Sequence, residues 1–197
     1  MINWDPIYKQ LLSPQCKQCP DPYFAPYHDA LPHVGCCSHS PAFGLFEIYK
    51  MVKAGDQTFF WEQIYHHEQS EVQELTITVN AHVHPLFKEV ASKHSLSPQE
   101  EEDLKLSFSV CSFFVRGKGC GLHPDYKNKI CRGFICTAIE DQLDNQQRHD
   151  LAHRAREIRQ EVETFEQQHQ AYIKQKGWSF QTHMEDILDY LMTVNKT

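Results

Sequence analysis

Apolar residues crowd one stretch early in the chain, "SPAFGLFEIYKMVKAG". There Phe43, Leu45, Phe46, Ile48, Tyr49 and Val52 fall on nearly every side of a 3.6-residue repeat. Ser40 followed by Pro41 supplies a cap and a first-turn proline, and Gly55 supplies a stop, so the pattern predicts a buried helix. Asp56 is placed to cap a second helix through "TFFWEQIYHHEQSEVQEL", with Phe60, Ile64, Val72 and Leu75 on one side. A third opens at Ser97-Pro98, where Glu100 completes a capping box.

Between them "LTITVNAHV" fits two periods, since Leu75, Ile77, Val79, Ala81 and Val83 alternate like a strand while Leu75, Val79, Val83 and Leu86 step like a helix. The helical period is the one we adopt. The choice bears on His82 and His84, which share a face only on a strand.

Toward the end, Leu151, Ala155, Ile158, Val162, Phe165, His169 and Tyr172 are spaced 4-3-4-3-4-3, a heptad seam with His169 as its polar interruption. A helix from about residue 145 to 176 would run on the order of 45 Å. Lys174, Lys176 and Gly177 stop it, and Thr182 with Glu185 opens a last helix carrying Met184, Ile187, Leu188 and Leu191. The seam could pack within the chain or serve a homodimer or protein partner, and three heptads favour packing within the chain. The expected fold is mainly α, with helices around a cysteine-rich loop region organised by metal and a C-terminal helical hairpin. Residues 1–140 would form the cysteine-bearing domain and residues 141–197 the hairpin.

Composition narrows the chemistry. The chain has 197 residues, a formal net charge of -7 and 41% apolar residues, an ordinary globular make-up whose acidic average argues against nucleic acid. The opening "MINWDPIYKQLL" has neither a basic nor an apolar leader segment, and no window reaches the length of a membrane span, which predicts a cytoplasmic protein. Eight cysteines in that compartment read poorly as disulfides.

Their placement separates them from scattered core filler. Cys16, Cys19, Cys36 and Cys37 form one group and Cys111, Cys120, Cys131 and Cys136 another, with none from 38 to 110 or after 136. Cys16-Lys17-Gln18-Cys19 has the two-residue gap of a zinc or iron-sulfur half-site. A redox dithiol would need a strand-helix-strand setting that residues 1 to 40 do not show. Arg116, Lys118, Lys127, Lys129 and Arg132 surround the second group, as compensation for anionic sulfur or as a solvated surface. His123, Asp125 and Tyr126 lie among these cysteines as acid-base candidates for a metal- or iron-sulfur-dependent redox or group-transfer enzyme, or as a plain turn.

The second group, "CSFFVRGKGCGLHPDYKNKICRGFIC", with Cys-x-Phe at its front and Cys-Arg-x-Phe-x-Cys at its end, resembles the signature of the YkgJ-type cysteine-cluster family, described as chelating zinc or iron. Cys16, Cys19 and the Cys36-Cys37 pair resemble its N-terminal C-x2-C-x2-CC, except that residues 20 to 35 stand where the family has two. This insert brings His28 and His33 as further donors. The resemblance spans residues 16 to 137 and implies that all eight cysteines bind metal, zinc or iron, singly or as an iron-sulfur cluster. It implies no reaction, and a helical interaction module with structural zinc is another reading of the same residues.

Overall fold

The computed structural model describes residues 2–17, 19–27 and 31–195. Helix accounts for 51% and strand for 12%, so the fold is mixed α/β and the mainly-α expectation is corrected. Strands β1 (Asn3–Asp5) and β2 (Gln10–Leu12) pair as an N-terminal hairpin. Three-residue 3-10 turns and longer ones carry the chain past the first cysteines to β3 (Ala42–Phe43) and α1 (Leu45–Lys53).

Helix α1 begins later than Ser40-Pro41 suggests, because residues 42 and 43 pair with a strand instead. Its cap is Gly44, whose N–H donates to the Glu47 carboxylate at 3.0 Å. It is buried on almost every side, as its sequence predicts, from Leu45 through Val52.

The next segment departs further. Helix α2 (Gln57–Phe59) widens into a π-helical stretch, Phe60–Tyr65, and ends at His66. Ser70 closes the end by donating its hydroxyl to the Ile64 carbonyl, and the chain turns into β4 (Ser70–Val72) and β5 (Ile77–Val79). Strands β3, β5 and β4 form an antiparallel sheet in that order. The alternating reading of residues 75–83 is therefore the correct one: Ile77 and Val79 are fully buried, while Thr78 between them faces away. Two β-branched residues in the core outweigh the competing helical period.

Strand β6 (His82–Val83) leads to α3 (Leu86–Ala91), then α4 (Pro98–Leu106), whose capping box is realised between Ser97 and Glu100. Strand β7 (Ser109–Val110) pairs with β6, and β8 (Phe114–Val115) pairs with β9 (Gly119–Cys120). Short helices α5 (Lys129–Gly133) and α6 (Thr137–Glu140) precede α7 (Asn145–Gln175) and α8 (Met184–Thr193).

One apolar core joins α1, β5, α7 and α8, with Phe46 and Phe165 meeting edge to face at 5.3 Å. The expected hairpin is modified: α8 docks chiefly on α1, and reaches α7 through Tyr190, which bonds His169 at 2.7 Å and stacks on Tyr172. The heptad seam faces into the chain, for Leu151, Ile158, Val162, Phe165 and His169 are all buried. Apolar packing and short sheets make up these layers, and no organisation by metal is shown among the described residues. Among the described residues no helix is long and apolar enough to cross a membrane.

Candidate metal centre

All eight cysteines are free, and the backbone links the two groups where Cys37 meets Cys111. Cys16 closes a 3-10 turn by donating its N–H to Ser13 at 3.1 Å, just beyond β2. Leu11 of β2 packs with Cys136, Ile139 and Leu151 in a second small core, so the start and the end of the cysteine region share one floor. Cys19 is buried over Gly35, whose φ of 56° and lack of a side chain are both required there. A Cβ at that position would stand 2.7 Å from the Cys19 sulfur.

The turn at Gly35–Ser38 carries Cys36 and Cys37, and the Cys111 N–H donates to the Cys37 carbonyl at 2.6 Å. Residues far apart in sequence are thereby joined through the backbone. The β8–β9 hairpin, turned at Gly117 and Gly119, folds Cys120 back beside Cys111: Cys120 pairs with Phe114, whose N–H donates to the Cys111 carbonyl at 2.9 Å. Asn128 caps α5 by accepting the Cys131 N–H at 2.8 Å, and donates to the Ala42 carbonyl at 2.9 Å, which ties Cys131 to β3.

Electrostatics reflect this crowding. Burial raises the Cys16, Cys19 and Cys120 thiols, and neighbouring cysteines raise each further. Cys111 is pushed up to about 11 and Cys131 to about 12, first by burial and then by surrounding thiols. Cys131 keeps some accessible surface, yet the protein packed around its sulfur dominates. Within the vicinal pair, the Cys36 S–H donates to the Cys37 sulfur, which raises Cys36 and lowers Cys37, with Lys127 assisting.

A set of sulfurs that penalise one another's ionisation fits a cation as partner, since a metal ion compensates thiolate charge directly. The shell is not ready-made, however: among the described residues no three His, Cys, Asp or Glu side chains form a group placed to hold a metal. The sulfurs converge without closing on a common point.

The other expected donors divide. His28 lies outside the described residues. His33 bonds the Asp21 carbonyl through Nε2 at 3.0 Å. His82 is exposed on β6, and His84 accepts the Leu86 N–H at 3.3 Å. His123 accepts the Asp125 N–H on Nδ1 at 3.3 Å, which leaves Nε2 to carry the ring proton. Tyr126, buried and bonded to Asp56 at 3.0 Å, is pushed up to about 12 by burial and that carboxylate. This arrangement is a structural turn.

The five basic residues separate in the same way. Arg116 and Lys118 sit exposed in the β8–β9 turn, Lys129 pairs with Glu163, and Lys127 lies within electrostatic reach of Cys37, Cys120 and Cys131.

Arg132 is neither compensation nor surface. It is 2% exposed, its Nη1 meets Glu161 at 3.1 Å, and its Nε and Nη2 have no partner among the described residues. Glu161 of α7 also takes Lys9 of the N-terminal hairpin at 2.9 Å, so one carboxylate ties both cysteine-bearing segments to the long helix. No sequence signal marks Glu161, which reads as one more solvated glutamate.

Beside the cysteine floor, a cleft of about 520 Å³ opens between the N-terminal hairpin and the first turns of α7, lined by Trp4, Leu11, Leu151 and Arg154 among others. Arg154 lies over the Trp4 ring at 4.9 Å. Compared with family models, with curated proteins and with solved structures, the chain matches none.

Proposed function

We propose that this chain is a metal-binding cysteine-cluster protein of the YkgJ type, which uses Cys16, Cys19, Cys36, Cys37, Cys111, Cys120, Cys131 and Cys136 to hold zinc or iron, the iron singly or as an iron-sulfur cluster. The observation that carries the reading is convergence. Two cysteine groups separated by the whole of residues 38–110 meet at the Cys111–Cys37 backbone bond. Eight thiols confined to two groups, with none from 38 to 110 or after 136, are not the scatter that core filling gives. Soft sulfur donors select zinc and iron-sulfur centres over hard cations such as magnesium. Eight free thiols also suit a reducing, cytoplasmic compartment, where they would stay available to metal.

Bound zinc would supply a structural staple or a Lewis acid, and an iron-sulfur cluster would supply electron transfer. A catalytic version of the same centre has one observation in its favour, the cleft whose walls Leu11 and Leu151 also pack against Cys136. Metal analysis of the anaerobically purified full-length chain, with its visible absorption spectrum, tests the proposal. Stoichiometric zinc, or stoichiometric iron with a brown chromophore, is expected; a chain without stoichiometric metal overturns it.

A further inference from the structure

We propose that Lys50 is a carbamylation site: its amine takes up carbon dioxide, and the carbamate so formed pairs with the buried guanidinium of Arg132. The proposal stands apart from the cysteines and from whatever they hold.

Two cations meet on one aromatic ring. Lys50 of α1 sets its Nζ 4.9 Å from the centre of the Phe46 ring, and Arg132 of α5 sets its Cζ 5.5 Å from the same centre. Neither is an ordinary surface cation. Arg132 is 2% exposed and gives Nη1 to Glu161, which leaves Nε and Nη2 as buried donors with no acceptor among the described residues. Lys50 is half-buried, and its Nζ is in no ion pair among the described residues. Buried donors left unpaired carry a desolvation cost, which one further negative group beside them would remove.

Access decides what that group can be. The two orphaned nitrogens are closed to solvent, which disfavours a free anion as their partner. An anion carried on the Lys50 side chain needs no such path, because that chain already lies on the ring that Arg132 covers. Lys50 is itself partly open to solvent, and carbon dioxide is small and uncharged.

The amine is suited to the reaction, for which lysine must be neutral. Burial, and then the Arg132 charge, push Lys50 down to about 8, against the opposing pull of Glu47, Asp125 and Glu161. Of these, Glu47 is itself pushed up by burial, and Glu161 is engaged by Lys9 and Arg132. Free amine is therefore present at a pH where an ordinary lysine is charged. The Nζ lone pair attacks the carbon of carbon dioxide, an N–C bond forms, one C=O π bond opens onto oxygen, and an N–H proton leaves to solvent. Amine and carbon dioxide become carbamate and a proton, and nothing is oxidised. A positive end thereby becomes negative, with two oxygens to accept from the Arg132 fork. The pair would tie α1 of the core to α5, which carries Cys131.

Carbon-13 NMR of the full-length chain in labelled bicarbonate at about pH 8, with trialkyloxonium trapping and peptide mass mapping of the same sample, tests the proposal. A carbamate carbonyl signal is expected, mapped to Lys50 and absent from Lys50→Arg, which keeps the charge and the stem but has no free amine. Carbon dioxide should also raise the thermal midpoint of the wild type by about 2 °C or more and leave that of Lys50→Arg unmoved. No carbamate, or one mapped only to other amines, overturns the proposal. Carbamate at Lys50 with an unchanged midpoint overturns the pairing with Arg132. The mapping needs only the wild type, so it decides the site even if Lys50→Arg fails to fold.

Discussion

The two halves of the molecule are held by different physics. Around α1, α7 and α8 the chain buries Phe46, Ile48, Met51, Ile173, Ile187 and Leu191 to 1% exposure or less, and the packing is continuous across three helices. Around the cysteines there are 3-10 turns, two-residue strands and a minor core of Leu11, Ile135, Cys136, Ile139 and Leu151. The first region is held by packing of its own apolar side chains. The second depends on individual ties: the Cys111–Cys37 backbone bond, the Asn128 cap, and Glu161 holding Lys9 and Arg132. Under the metal-binding reading proposed above, soft ligands on such ties would adjust to a metal while the helical core keeps its position.

The largest effect should come from the core. Phe46→Ala empties a side chain that is 1% exposed and lies beneath both Lys50 and Arg132, at a cost of about 3–5 kcal/mol. Chemical denaturation is expected to show a lower midpoint with helix and tertiary signals lost together; if the helices survive while the tertiary signal alone falls, the core is less continuous than described.

Glu161→Gln comes next, because it leaves the Arg132 charge buried without its carboxylate, at about 3 kcal/mol. It should also raise the rate at which the cysteines react with a thiol reagent. A stability loss with unchanged thiol reactivity would mean that Glu161 belongs to the core alone and does not link the regions.

This division also explains what could be read from the sequence. The α7 seam, the buried α1 and the capping box at Ser97 were legible because each is encoded in a few adjacent turns. The grouping of the cysteines was visible as well, though not their convergence, which depends on backbone bonds between residues such as Cys37 and Cys111. Strands of two or three residues carry almost no period of their own: Ala42–Phe43 became a strand because Ile77–Val79 lay beside it, which shortened the expected helix. The π-helical widening at Phe60–Tyr65 likewise ended a pattern that local spacing would have continued to residue 75. Arg132 and Glu161 were invisible as a buried pair, since each charge looks solvated until the other element is in place.

Asn128→Ala probes one tie of the cysteine region by removing both the α5 cap and the bond to Ala42, at about 1–2 kcal/mol. Retained metal with a small loss of midpoint is expected under saturating zinc, and weaker zinc binding at low concentration. A loss as large as that of Phe46→Ala would show that this turn belongs energetically to the core and would dissolve the distinction between the regions.

The smallest effect concerns the polar interruption in the core seam. His169 is buried against Phe165 and Tyr190, and burial holds its pKa below the usual 6.5. The fold therefore favours the neutral ring. Its contribution is present above the unfolded value and is lost as pH falls through the lower folded value, where the unfolded chain takes up the proton first. Thermal unfolding of the wild type should weaken more than that of His169→Gln as pH falls from neutrality through and below the usual 6.5, because the variant has no proton to take up there. The remaining histidines are the same in both proteins, so the difference between the two slopes isolates His169. Equal pH slopes would show that burial of His169 against Phe165 and Tyr190 carries no acid sensitivity of the helical core.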